Sequence, residues 1–223
     1  MSLFSAGARE PQLADLDGLL AGSGQVVRRG REARLSVVVA DGWRVTAMVS
    51  ELGGLGLEPE LEDGESDTAG QMGVAVRTPW LEELRPLADA WTRGAVKLPP
   101  VGWELDGPRL RWWCVADGRT SAAMYTLALG PNDQPAWAPV GAALASAGVP
   151  GLLVGPRADG PAYRIVGQRR LNRLRELIGD PPAGAGTADW PAADYLHGRA
   201  EHDSHGRAGH DAHGRAEHDA HGA

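Results

Sequence analysis

Two groups of side chains in this 223-residue chain have the types and spacing to do chemistry. The first is histidine. His197, His202, His205, His210, His213, His218 and His221 are the only histidines, spaced alternately five and three apart with aspartates between them. Imidazole and carboxylate in that alternation chelate zinc, nickel or copper on a flexible chain, weakly and with little selectivity. The alternative is a solvated repeat, expanded by slippage, with no fixed role. The second group is arginine. Arg28, Arg29, Arg31 and Arg34 cluster in one short segment, and Arg77, Arg157 and Arg164 could add to it. A guanidinium fork matches a phosphate bidentately, so this cluster has the chemistry of nucleic-acid backbone contact. Glu58, Glu60, Glu62, Asp63, Glu65 and Asp67 crowd the neighbouring hairpin and would repel phosphate, which leaves a solvated surface as the other reading.

Other chemistries are excluded. Cys114 is the only cysteine, so one chain can hold neither a disulfide nor a CxxC zinc site, and its neighbours Trp112, Trp113 and Val115 make it core. The glycine runs at 22–24 and 53–56 lack the strand, glycine spacing and lysine of a phosphate-binding loop, so a nucleotide site is discarded. The net charge of −7 argues against a strong nonspecific nuclease, because proteins that live on DNA carry basic surfaces to displace counterions. Lys97 is the only lysine, so any phosphate contacts fall to arginine. No apolar run approaches the roughly 20 residues of a membrane span. Met1 to Glu10 is too short and mixed for a secretory signal, so a soluble, cytoplasmic protein is expected.

The elements that must position these groups fall into two similar halves. In the first, residues 34–40 alternate as a strand, 43–57 have helical spacing, Leu61 and residues 72–77 form a hairpin with an acidic loop, and 80–91 form a helix. In the second, 125–129 form a strand, 134–148 a helix, 151–154 and 163–166 a hairpin, and 169–178 a helix. Trp43, Trp80, Trp91, Trp112, Trp113 and Trp137 lie on helical segments and read as core rather than as base-stacking platforms. The last 27 residues repeat the unit HGRAEHDS with no apolar side chain larger than alanine, so this tail is expected to be disordered. The predicted organisation is 10–95 and 96–181 as two repeats, 182–196 as linker and 197–223 as tail.

Each half is preceded by a segment that carries a family resemblance. Leu16 to Gly24 reads LDGLLAGSG, and Leu110 to Gly118 reads LRWWCVADG. The first resembles the signature helix of the LAGLIDADG homing endonucleases, matching at Leu16, Gly18, Leu19 and Gly24. The second is similar to the second such helix of the single-chain, two-repeat members, an aromatic-rich stretch ending in an acid and a glycine. Lys97 to Pro100 and Leu105 to Leu110 resemble the lysine-proline segment and leader before that helix, and Tyr163 to Ile178 resembles the closing strand and helix. The resemblance spans about residues 12 to 180.

It implies an α+β fold of tandem, pseudo-symmetric αββαββα repeats that form a saddle-shaped antiparallel sheet, monomeric with an internal pseudo-twofold. Two helices then cross at the centre, where small residues such as Gly18, Ala21 and Gly22 permit close approach. Their ends each place an acid at the saddle floor, and the pair holds the divalent cations for phosphodiester hydrolysis. Asp117 takes the metal-binding acid position of the second helix. Ser23 takes that of the first, and a hydroxyl brings no negative charge to magnesium. Asp15 and Asp17 lie six or more positions earlier and do not replace it. Lys97 resembles the lysine that assists near the scissile phosphate; its alternative is a solvated surface lysine. The expectation is therefore a degenerate member that binds double-stranded DNA with cleavage lost or impaired, with a regulatory use by analogy. Two further readings stay open, an active magnesium-dependent endonuclease or nickase using Asp117, and a module for a protein partner that no longer touches nucleic acid. Magnesium is implied only if cleavage is retained, and weak zinc or nickel only on the tail.

Overall fold

A 3-10 turn at Leu13–Leu16 leads into helix α1 (Asp17–Ala21), followed by strands β1 (Gln25–Arg29) and β2 (Glu32–Val39), helix α2 (Gly42–Gly54), strands β3 (Glu60–Ser66) and β4 (Met72–Arg77) and helix α3 (Arg85–Trp91). A small ladder, β5 (Thr92–Arg93) with β6 (Val96–Lys97), separates this from a second series in the same order. That series is helix α4 (Gly107–Asp117), strands β7 (Gly118–Ser121) and β8 (Met124–Ala128), helix α5 (Gln134–Ser146), strands β9 (Leu152–Val154) and β10 (Ala162–Val166), and helix α6 (Gln168–Ile178). This computed structural model describes residues 5–7, 9–66, 72–121, 123–158, 160–186 and 189–191. The tail, with all seven histidines, and Asp67 of the acidic loop lie outside them.

Two four-stranded antiparallel sheets form, ordered β1-β2-β4-β3 and β7-β8-β10-β9, so the expected duplication of strand order is present. Alternation explains which face each sheet buries. Ala33, Leu35, Val37 and Val39 of β2 turn inward, while Arg34, Ser36 and Val38 turn to the open face. Tyr125 and Leu127 of β8 are buried likewise. The helices cover the inward faces with stripes at helical spacing: Ala47, Met48 and Leu52 on α2, Val140, Ala143 and Leu144 on α5, and Leu171, Leu174, Leu177 and Ile178 on α6.

α4 is different, with eight of its eleven residues buried and only Arg109, Arg111 and Asp117 half-exposed. Asp106 caps its start by accepting the Arg109 backbone N–H at 3.1 Å, with Pro108 in the first turn. α1 lies against it, and all five of its residues are buried. A Cβ on Gly18 would run into the backbone carbonyl of Arg109, and one on Gly22 into the Asp117 carboxylate and the Trp113 ring. The small residues predicted for a close crossing are therefore used for one.

Two boundaries differ from expectation. The helix predicted over 80–91 begins only at a 3-10 turn, Glu82–Leu84, because Leu81 is held extended by a bridge to Ala33 with backbone bonds of 2.9 and 3.0 Å. Trp190, in the segment predicted as linker, is buried, donates through Nε1 to the Gly179 carbonyl at 3.0 Å, and packs under Arg111. Its apolar area is reason enough to hold the chain on the body. Among the described residues no helix is long and apolar enough to cross a membrane.

Candidate functional site

The two central helices end beside each other, and each passes into an edge strand of a sheet. α1 does so through Gly22, Ser23 and Gly24 into β1, and α4 from Asp117 directly into β7. At this junction the Ser23 hydroxyl donates to Asp117 Oδ1 at 2.7 Å, and the Ser23 backbone N–H donates to Oδ2 at 2.9 Å. Lys97, from β6, reaches into the same place. Its ammonium donates to the carbonyls of Gly22 and Gly24 at 2.7 and 2.8 Å and pairs with Asp133 Oδ2 at 2.8 Å. Gln25 Nε2 donates to the Ser23 carbonyl and to Asp133 at 3.3 and 3.2 Å. Lys97 is only 5% exposed and Asp133 8%.

Arg44, on α2, closes the structure from behind. Its guanidinium donates to the carbonyls of Cys114, Val115 and Gly118 and pairs with Asp41. It thus adds donors to carbonyls at the end of α4, where that of Cys114 already accepts the Gly118 N–H, and places positive charge where the helix dipole is negative. Burial pushes the Asp117 carboxyl up, opposed by the two Ser23 bonds and by Lys97 and Arg44. Burial likewise lowers the Lys97 ammonium, opposed by Asp133 and Asp117. The Cys114 thiol is pushed up to about 12 by burial, so it is no nucleophile.

A hard divalent cation needs about six oxygen ligands with carboxylate charge among them. Here one carboxylate, half-buried, is occupied by Ser23, and the other, buried, by an ammonium. Among the described residues no group of three or more His, Cys, Asp or Glu side chains is disposed to hold a metal ion. The residues at the helix ends do not fit a magnesium site, and the positive charge there is supplied by Lys97. That lysine is neither at the surface nor poised beside open solvent. It is part of the interior.

The arginines singled out in the sequence fall on the strands and turns of the two sheets, in unlike settings. In the first half each has a carboxylate partner: Arg28 with Asp89, Arg29 with Glu32, Arg31 with Glu82, Arg34 with Glu60 and Arg77 with Glu62. Arg29 and Arg34 also lie over the Trp80 ring, 4.2 and 4.9 Å from its centroid. In the second half Arg164 lies on β10, opposite Thr126, and Arg157 is exposed in the turn between β9 and β10. Arg119 on β7 also faces Thr126, from the other side, and was not singled out from the sequence. Asp133 and Arg44 were missed too. Asp133 reads as an ordinary helix start and Arg44 as an ordinary helical arginine; only the burial of Lys97 and of the α4 carbonyls gives them a task.

Neither a protein-family model nor a curated protein matches the sequence. Solved structures match by fold. The homing endonuclease I-WcaI bound to its DNA recognition sequence superposes with a TM-score of 0.54 over 80% of this chain and 83% of its own, at 12% identity. The N-terminal LAGLIDADG domain of DUF199/WhiA gives 0.51 over 80% of this chain and 88% of its own, at 9% identity. With paired central helices and two sheets of identical strand order, this chain has a LAGLIDADG-type fold.

Proposed function

We propose that this protein binds duplex DNA on an open sheet face and leaves the phosphodiester backbone uncut. The observation that carries the loss of cutting is that Ser23 engages both carboxylate oxygens of Asp117, which leaves the helix ends without the pair of available carboxylates that metal-assisted hydrolysis needs. The binding half of the reading is supported by the fold shared with an endonuclease described as bound to its DNA recognition sequence, and by arginines on the open strands of the second sheet. Binding is expected to need no magnesium, because the centre already holds its own cation. A monomer suffices, since one chain supplies both sheets. The tail histidines are a separate matter, with weak zinc or nickel chelation as their proposed chemistry.

The test is incubation of the full chain and of Asp117→Asn with supercoiled plasmid and a randomised duplex pool at low salt, with magnesium or with chelator. Retarded complexes in both conditions, without nicked or linear product, are the expected result. Cleavage by the wild type that Asp117→Asn abolishes would restore the endonuclease reading. A wild type that retards no duplex would leave the protein-partner reading.

A further inference from the structure

Resting on that DNA-binding reading, we infer that the grip on the duplex is one-sided: the sheet β7 to β10 holds the DNA backbone, and the sheet β1 to β4 does not. The open face of the first sheet is charge-balanced. Its Arg29, Arg34 and Arg77 are matched by Glu32, Glu60 and Glu62 on the same face, and each guanidinium already holds one of those carboxylates. A phosphate arriving there must displace a carboxylate at every arginine and then sit beside it. Loss of one good partner and repulsion from the freed one leave little gain.

The second sheet differs in the composition of its strands. Its four strands read GRTS, MYTLA, LLV and AYRIV, without one acidic residue. The register sets Arg119, Thr126 and Arg164 in a single row across β7, β8 and β10, on the face turned away from Tyr125 and Leu127. With strands about 4.8 Å apart, the two arginine Cα atoms are about 10 Å from each other, with the threonine hydroxyl between them. Guanidinium, hydroxyl, guanidinium is a donor row suited to phosphate oxygens. Arg119 and Arg157 are exposed and have no ion-pair partner among the described residues.

The halves differ in the same sense as a whole. Residues 10–95 carry eight basic and fifteen acidic side chains, and residues 96–181 carry ten basic and seven acidic. The field of the molecule therefore turns the second half toward a polyanion and the first half away from it. A five-residue strand spans about 17 Å, so direct contact covers about five base pairs of duplex.

The experiment is fluorescence anisotropy of the full chain with a labelled duplex of mixed sequence, across a series of salt concentrations. Three triple variants are compared, with thermal unfolding as the control for folding. For the wild type, the slope of log affinity against log salt is expected to be about −3, for three phosphate contacts. Arg119→Ala with Arg157→Ala and Arg164→Ala should weaken binding by about tenfold or more at low salt and flatten that slope. Arg29→Ala with Arg34→Ala and Arg77→Ala should change affinity by no more than about twofold. Glu32→Gln with Glu60→Gln and Glu62→Gln should tighten binding and steepen the slope, because it releases arginines that are now occupied. Equal weakening by the two arginine triples overturns the one-sided grip while leaving DNA binding intact. Absence of salt-dependent binding in the wild type overturns the function on which it rests.

Discussion

At the end of α1 the chain carries Ser23, a neutral donor, and at the end of α4 it carries Asp117, a half-buried acceptor. Two like carboxylates at that crossing would have to be ionised together in a desolvated place, which requires an outside cation or a shared proton. A serine facing an aspartate removes the conflict, since the serine supplies two donors to the carboxylate, and one internal ammonium completes the charge. The sheets above the two ends diverge in the same way. One face matches arginine with glutamate and the other carries arginine with no acid on its strands. A duplicated scaffold can thus keep one backbone plan while its copies exchange complementary roles. The centre becomes a structural joint between unlike partners where it could have been a symmetric reaction centre.

The most severe way to break this joint is to remove its cation. Lys97→Met leaves buried Asp133 without its countercharge, with only Gln25 still donating to it, and takes the ammonium from the carbonyls of Gly22 and Gly24. Breaking a buried pair from one side costs about 3 to 5 kcal/mol, so urea unfolding should show a loss of that size. Adding Asp133→Leu to Lys97→Met should recover a large part of it, because the second change removes the stranded charge. A Lys97→Met protein as stable as the wild type would mean that the ammonium is incidental to the joint.

Making the two ends alike sharpens the comparison. Ser23→Asp places a second carboxylate against Asp117, and the pair then holds one proton more tightly than the unfolded chain does. Its raised folded-state pKa makes the variant's deficit small in acid and largest once pH has risen through that value. Unfolding relative to the wild type should show a loss of about 3 kcal/mol at pH 8 and less than half of that at pH 4. A deficit of equal size at both pH values would show a steric fault and not repulsion between like ends.

The positions of Ser23 and Asp117 were legible in the sequence because a helix end is marked by its glycine, and the strands were legible from alternation, as in the inward Leu35, Val37 and Val39. Pairing was not. Whether Arg34 meets Glu60 or a phosphate depends on which residues of β2, β4 and β3 stand opposite, and register is set by tertiary packing as much as by pattern. The same limit hid the centre. Lys97 and Asp133 lie in different elements, and nothing local to Asp133 distinguishes it from a helix-starting aspartate. Arg44 could be recognised as the cap of α4 only once α2 was known to pack behind that helix end.

The opposite end of the helix pair offers a gentler test, because there too the halves meet through unlike charges. Asp17 of α1 accepts from Arg109 of α4 at 2.8 Å and from the Trp103 indole at 2.8 Å. Burial nevertheless wins over these partners and pushes the Asp17 carboxyl up from 3.8 to about 6. With its folded-state pKa above the unfolded one, Asp17 contributes stability that is complete below about pH 4 and is lost as pH rises toward about 6. The loss is on the order of 2 to 3 kcal/mol, from about 1.4 kcal/mol per pKa unit. Asp17→Asn keeps the shape and cannot titrate, so the stability of the wild type minus that of the variant should fall between pH 4 and pH 6.5 and then level off. Should that difference stay flat through the window, Arg109 is holding Asp17 ionised throughout. The far end of the crossing would then be an ordinary ion pair, unlike the desolvated joint at Asp117.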